Sequence, residues 1–183
     1  MNWGTVGADE LSATLWRERR QLDFLLFLLE TQLLHLRAGN WHRLNFTAAE
    51  LEKVLENLRF ESLARGVEAS AVAAAWKAPD HLTLPALISI APPGIWPELL
   101  EDHRRGMAAL LAGIDDAVAA NVLLLQDSSA SSDPAPGLSQ SGIADLARDT
   151  DELAFVAREA NVQRAIAAVQ GAALPTLRDF LGL

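Results

Sequence analysis

ADELSATLWRERRQLDFLLFLLETQLLHLRA, residues 8–38, contains neither proline nor glycine and spaces Leu15, Leu22, Leu29 and Leu36 seven residues apart, with Leu11, Leu25, Leu26 and Leu33 beside them. A run with this period and no breaker predicts one continuous helix with an apolar stripe. At 1.5 Å per residue such a helix is about 45 Å long, too long to bury against a compact globule, and it reads as a stave of a bundle or coiled coil. Gly39-Asn40 supplies a C-terminal stop.

Working outward, the run from Trp41 to Trp76 carries Leu44, Ala48, Leu51, Leu55 and Leu58 at alternating steps of four and three. Its short connection to the first helix makes the two antiparallel neighbours. Thr47-Ala48-Ala49-Glu50 also fits a capping box, which offers a later start at Thr47. The earlier start is preferred. Pro79, Pro85, Pro92, Pro93 and Pro97 bar a long helix from the next stretch and leave room for a short one from Leu84 to Ile90, capped by Thr83. A third long helix from Trp96 to Gln126 repeats the pattern through Trp96, Leu100, His103, Met107, Leu110, Ile114, Ala117, Asn121 and Leu124.

Between residues 127 and 142 the composition turns to serine, proline and glycine with little to bury, which reads as a flexible linker. Helical character returns from Ile143 to Gly171, where Phe155, Val162, Ile166, Val169 and Ala173 form a stripe. A short amphipathic piece, Thr176 to Leu181, follows. The expected fold is all-α: an antiparallel bundle of three long helices and a short connecting helix over residues 1–126, a linker over 127–142, and a tethered amphipathic segment over 143–183.

Composition narrows the function. The chain has 183 residues, half of them hydrophobic but only 6% aromatic, so its apolar content suits helix seams better than pleated sheets. A formal charge of -9 repels a phosphate backbone, and nucleic acid is not an expected partner. With no cysteine there is no disulfide and no thiolate chemistry, which suits a reducing cytoplasm. No signal peptide is visible at Met1-Asn2-Trp3-Gly4-Thr5. The apolar stretch Leu22 to Leu36 is interrupted by Asp23 and Glu30 and is shorter than the ~20 residues of a membrane span.

Catalytic signatures fail on spacing. Residues three positions before His35, His42, His81 and His103 are Gln32, Gly39, Ala78 and Leu100, so the Glu-x-x-His pairs of a di-iron bundle are missing. The adjacent acids Glu101-Asp102, Asp115-Asp116 and Asp151-Glu152 point about 100° apart on a helix and read as solvated faces. Ser128 to Ser132 has linker composition, and no phosphate-binding glycine motif occurs. No cofactor, metal or enzymatic activity is expected. His103 and Asn121 stand out as polar residues on an apolar seam, where such groups either fix register or mark a wet edge. The tryptophans Trp3, Trp16, Trp41, Trp76 and Trp96, mostly near helix or chain ends, read as core closures.

Leu15-Trp16-Arg17-Glu18-Arg19-Arg20-Gln21-Leu22-Asp23-Phe24 and Trp96-Pro97-Glu98-Leu99-Leu100-Glu101-Asp102-His103-Arg104-Arg105 together resemble the actinobacterial branch of the flagellar export chaperone family FlgN. The tail, Glu159-Ala160-Asn161-Val162-Gln163-Arg164-Ala165-Ile166 followed by Leu174-Pro175-Thr176-Leu177-Arg178-Asp179-Phe180-Leu181, is similar to that branch's C-terminal signature. The resemblance implies a cytoplasmic chaperone that holds hook-associated proteins of the hook-filament junction before export. It also implies delivery of that cargo to the flagellar type III export gate. The chain itself is expected to be a monomer or weak homodimer. Related chaperones use a C-terminal tyrosine at the gate; this chain has no tyrosine, and Val162 stands where the ring is expected.

The expected partner surface is the tail: Leu153, Phe155, Val156, Val162, Ile166 and Val169 on one helix, continued by Leu174, Leu177, Phe180 and Leu181. The same face can also fold back on the body as a fourth helix and be displaced by cargo. On this reading Val162→Asp and Ile166→Asp remove cargo binding and leave helicity nearly intact. The other reading is a generic coiled-coil adaptor or homodimer pairing through the Trp96 to Leu124 seam.

Overall fold

The computed structural model describes residues 7–78, 83–130 and 143–183. Trp3, Pro79, His81 and residues 131–142 of the linker lie outside them. The described residues are helical with no strand: α1 (Ala8–Arg37), α2 (Leu44–Ala75), α3 (Leu84–Ile90), α4 (Trp96–Ala130), α5 (Ile143–Gln170) and α6 (Pro175–Leu181).

Local chemistry sets the ends. Gly39, at φ 69°, lets the chain turn after α1 while its N–H and that of Asn40 donate to the Leu36 and His35 carbonyls at 3.1 and 2.9 Å. This double bond pattern satisfies carbonyls that the helix end would leave open. A single 3-10 turn, Trp41–Arg43, leads straight into α2. The capping box therefore does not form: Thr47 lies inside α2, and its hydroxyl donates to the Gln32 side chain at 3.2 Å. The fully buried Leu44 pulls the helix start forward. Thr83 precedes α3 in extended conformation but makes no side-chain capping bond. α4 runs on to Ala130, so residues 127–130, assigned to the linker from composition, continue the helix. Ser128 fits there by donating to the Leu124 carbonyl at 2.6 Å.

α1 packs against α2 and α4, and α5 packs against the same two helices, closing a ring with α1 and α5 on one diagonal. The tail is thus the fourth stave of the bundle. Contacts give the directions. Gln32 meets Thr47 while Glu18 meets Arg65, so α1 and α2 are antiparallel. Arg19 meets Asp102 while Gln32 meets Asn121, so α1 and α4 are parallel. Glycines line that parallel contact: Gly106 faces the guanidinium end of Arg19, and a Cβ on Gly113 would come within 3.2 Å of Leu26; the two pairs share one register.

The core is chiefly leucine and alanine, with Leu11, Leu15, Leu22, Leu25 and Leu29 of α1 shielded by Leu51, Leu58, Leu100, Met107 and Leu111. On α4 the buried stripe shifts from the expected Leu110 and Leu124 to Leu111 and Leu125. A straight helix repeats every 3.6 residues, so a strict seven-residue seam drifts out of the core over several turns. Trp96 closes the core, Trp41 and Trp76 pack at its margin, and Trp16 is exposed. α4 is also the one described helix long and apolar enough, by length and composition, to cross a membrane. Its polar seam residues are bonded into α1.

Candidate partner-binding site

Three polar contacts tie the staves together and position the tail. In the first, Gln32 donates to Asn121 Oδ1 at 3.1 Å, Thr47 donates to Gln32, and Asn121 Nδ2 donates to the Leu29 and Ala117 carbonyls at 2.9 and 2.8 Å. Every one of these side chains is buried, and the chain of bonds crosses α2, α1 and α4. In the second, Ser12 and His103 Nε2 share a hydrogen bond at 3.1 Å, and the Trp16 ring meets His103 edge-on at 5.0 Å. Burial, helped by the nearby Arg19 charge, holds the His103 imidazole below the usual histidine range, so it stays neutral. Asn121 and His103 therefore lie in the core, bonded to α1, and not at a wet edge.

The third is an ion pair between Glu18 of α1 and Arg65 of α2, both buried. Burial pushes the Glu18 carboxyl up against the opposing pull of Arg65. Above it lies α6: the Phe180 ring sits 4.9 Å from the Arg65 guanidinium carbon. A cleft of about 430 Å³ opens between α2 and the α5–α6 elbow, with Glu18, Leu58, Ser62, Gly171, Leu174 and Leu177 among its walls.

The structure divides the ten tail residues expected to form one surface. Val162, Val169, Leu177 and Leu181 are buried in the common core; Ile166, Leu174 and Phe180 are partly buried against it. Leu153, Phe155 and Val156 are instead 42–71% exposed. The reason is length: α5 lies along α2 only from the level of Trp41, where Arg158 stacks on the indole at 4.1 Å. Phe155 precedes Val162 and Val169 at seven-residue steps, so it continues the docked stripe past that margin.

The docked half sits shallowly. On α5, Ala165 and Ala168 are buried beside Val162 and Val169 and Ile166 is half-buried, while Ala172 of the following 3-10 turn is buried too. A Cβ on Gly171 would come within 2.8 Å of Leu55, so the elbow approaches α2 closely. At the surface, Arg164 grips Glu52 through Nε and Nη2 at 2.9 and 2.6 Å and bonds Asn45, while Arg178 bonds Asp115 at 2.6 Å. The Arg164 bonds hold the Glu52 carboxyl below its usual range.

Composition and heptad counting miss the Glu18–Arg65 pair and the Gln32–Thr47 link. The signal is present in the sequence: Leu11, Leu15, Glu18, Leu22, Leu25, Leu29, Gln32 and Leu36 form one unbroken four-three series with two polar members. His35 is partly buried and His42 exposed, and among the described residues no group of three or more His, Asp or Glu side chains could hold a metal ion. No family model, curated protein or solved structure matches this chain.

Proposed function

We propose that this chain is a cytoplasmic, non-enzymatic export chaperone of the flagellar type, which binds a helical segment of a hook-filament junction protein through α5 and hands it to the export gate. The observation that carries this reading is the divided stripe of α5, docked at Val162 and Val169 and open at Phe155. An amphipathic partner helix can begin on Leu153, Phe155 and Val156, where nothing has to move.

From there it can advance by exchange. Two valines, two alanines and a half-buried isoleucine contribute roughly 6–9 kcal/mol of apolar burial to the docked half of α5, an upper figure before ordering costs. A partner offering larger side chains to the same stripe binds the released helix better than the body does, and that difference sets the balance. The missing tyrosine directs gate docking to another aromatic. Phe155 is the exposed candidate; Phe180 is held against Arg65.

The alternative, a coiled-coil adaptor pairing through the Trp96 to Leu124 seam, has that seam filled within one chain: Trp96, Leu100, Met107, Ile114 and Ala117 are all buried. The distinguishing experiment is co-purification of a hook-junction protein with the full chain and with a Leu153→Asp/Phe155→Asp/Val156→Asp variant. These side chains are exposed, so the fold is expected to persist, with capture falling at least tenfold. Undiminished capture by the variant contradicts the proposal.

A further inference from the structure

Arginines of the tail meet the body at Arg158, Arg164 and Arg178, and the first of them lacks an acid among the described residues. Arg164 holds Glu52 and Arg178 holds Asp115, whereas the Arg158 guanidinium lies over the Trp41 ring and its Nε is buried without a hydrogen-bond acceptor. A buried donor left in that state is destabilising until something accepts from it. Beside it opens a cleft of about 320 Å³, with Gly39, Trp41, His42, Ala157, Arg158 and Asn161 among its walls. Arg158 also stands on the tail stripe itself. Phe155, Arg158 and Val162 follow one another at steps of three and four, so the arginine falls where the exposed part of the stripe gives way to the docked part.

We propose that this cleft is a subsite for a carboxylate, an aspartate or glutamate side chain on the partner helix, which Arg158 takes up while the apolar side of that helix rests on Leu153, Phe155 and Val156. The proposal rests on the reading of α5 as the partner's seat, and it adds what the partner must carry: an acid one turn beyond its first apolar contacts. Stacking on Trp41 suits the role. It holds one face of the planar guanidinium and leaves the N–H edge to bond a carboxylate through two parallel hydrogen bonds. The subsite belongs to the docked state of α5, the one the partner meets first.

Charge at this corner favours an acid. The chain as a whole carries -9, yet residues 31–49, which form the end of α1, the turn and the start of α2, contain no Asp or Glu and include exposed Arg37 and Arg43. No acid is among the residues that wall the cleft. The acids around it are engaged or distant. Glu159 accepts from Gln163, Glu50 from Lys53 and Glu52 from Arg164, and Asp127 at the end of α4 is not free. Glu30 lies seven residues before Arg37, and Asp151 and Glu152 lie seven and six before Arg158, each about 10 Å back along its helix. The last α1 carbonyls, which would repel an anion, are taken up by the N–H groups of Ala38, Gly39 and Asn40.

Two amphipathic peptides of about 18 residues, blocked at both ends, test the subsite. Both carry leucine at positions i, i+3, i+4 and i+7, and they differ only in having glutamate or glutamine one turn beyond. Fluorescence anisotropy with the full chain should show the glutamate peptide binding about tenfold more tightly, the scale of a hydrogen bond to a charged group. Arg158→Gln should abolish the difference, and Arg158→Lys, which keeps the charge but loses the fork, should retain part of it, both with unchanged helical circular dichroism. Equal affinity of the two peptides for the wild type overturns the proposal, and that comparison needs no variant. So does a preference that survives Arg158→Gln, or failure of both peptides to bind below about 1 mM. The flagellar reading fails separately: a chain that prefers the glutamate peptide but captures no hook-junction protein keeps the subsite and loses that function, and capture without the preference does the reverse.

Discussion

Glu18 and Arg65 sit where two heptads would ordinarily place leucine, and their burial sets a thermodynamic contrast. Removing one partner of a buried ion pair strands a charge, at about 3–5 kcal/mol, whereas replacing both with apolar residues is often neutral or stabilising. Glu18→Leu and Arg65→Met are each expected to lower the unfolding free energy by that order, and the double variant to recover most of it. Urea unfolding of the four proteins measures the coupling; additive losses would mean that the two side chains do not interact. His103 gives a second residue-scale expectation. Burial lowers its pKa in the folded protein, so folding favours the neutral ring. That stability is present above the unfolded value of about 6.5 and is lost as pH falls through the folded pKa. Relative to wild type, His103→Gln should flatten the decline in urea midpoint between pH 7.5 and 5.5. Parallel curves for the two proteins would assign the pH dependence elsewhere.

Among the elements, α5 is the stave held by the smallest side chains. Hydrogen exchange over residues 153–170 should be faster than over the buried parts of α1 and α4, since local opening there exposes little apolar surface. Equal protection would contradict a weakly docked helix. Val162 is buried, so Val162→Asp drives a carboxylate into the body and is expected to release α5, a larger effect than the near-intact helicity that the sequence suggests. Ile166→Asp, at a half-buried position, should be milder. The helices themselves are legible in the sequence because leucine spacing and the absence of breakers fix α1 almost to the residue and the start of α4 at Trp96, while composition ends α4 four residues early, at Gln126. Thr47 was ambiguous because a capping box and a buried polar position share the same residues, and only packing against Gln32 decides between them. The one-residue drift along α4 escaped a seven-residue count because a straight helix does not keep that period. Where the tail stripe leaves the body was likewise not readable: Phe155 and Val162 share a stripe, and only the level of the α1–α2 turn separates them.

At the scale of the whole molecule, three staves share a leucine core pinned by buried polar contacts, and a fourth closes the ring opposite α1 while leaving Leu153, Phe155 and Val156 exposed. Stability and availability are thereby assigned to different helices. The chain's lack of cysteine allows labels to be placed without background. A Glu56→Cys/Ala167→Cys variant carries one spin label on α2 and one on α5, both at exposed positions. Their separation, measured by pulsed dipolar spectroscopy with and without the helical end of a hook-junction protein, tests the exchange directly. A single short distance in the free chain that lengthens and broadens on saturation is the expected result. Saturation with cargo that leaves the distance unchanged would contradict release of α5 from the body.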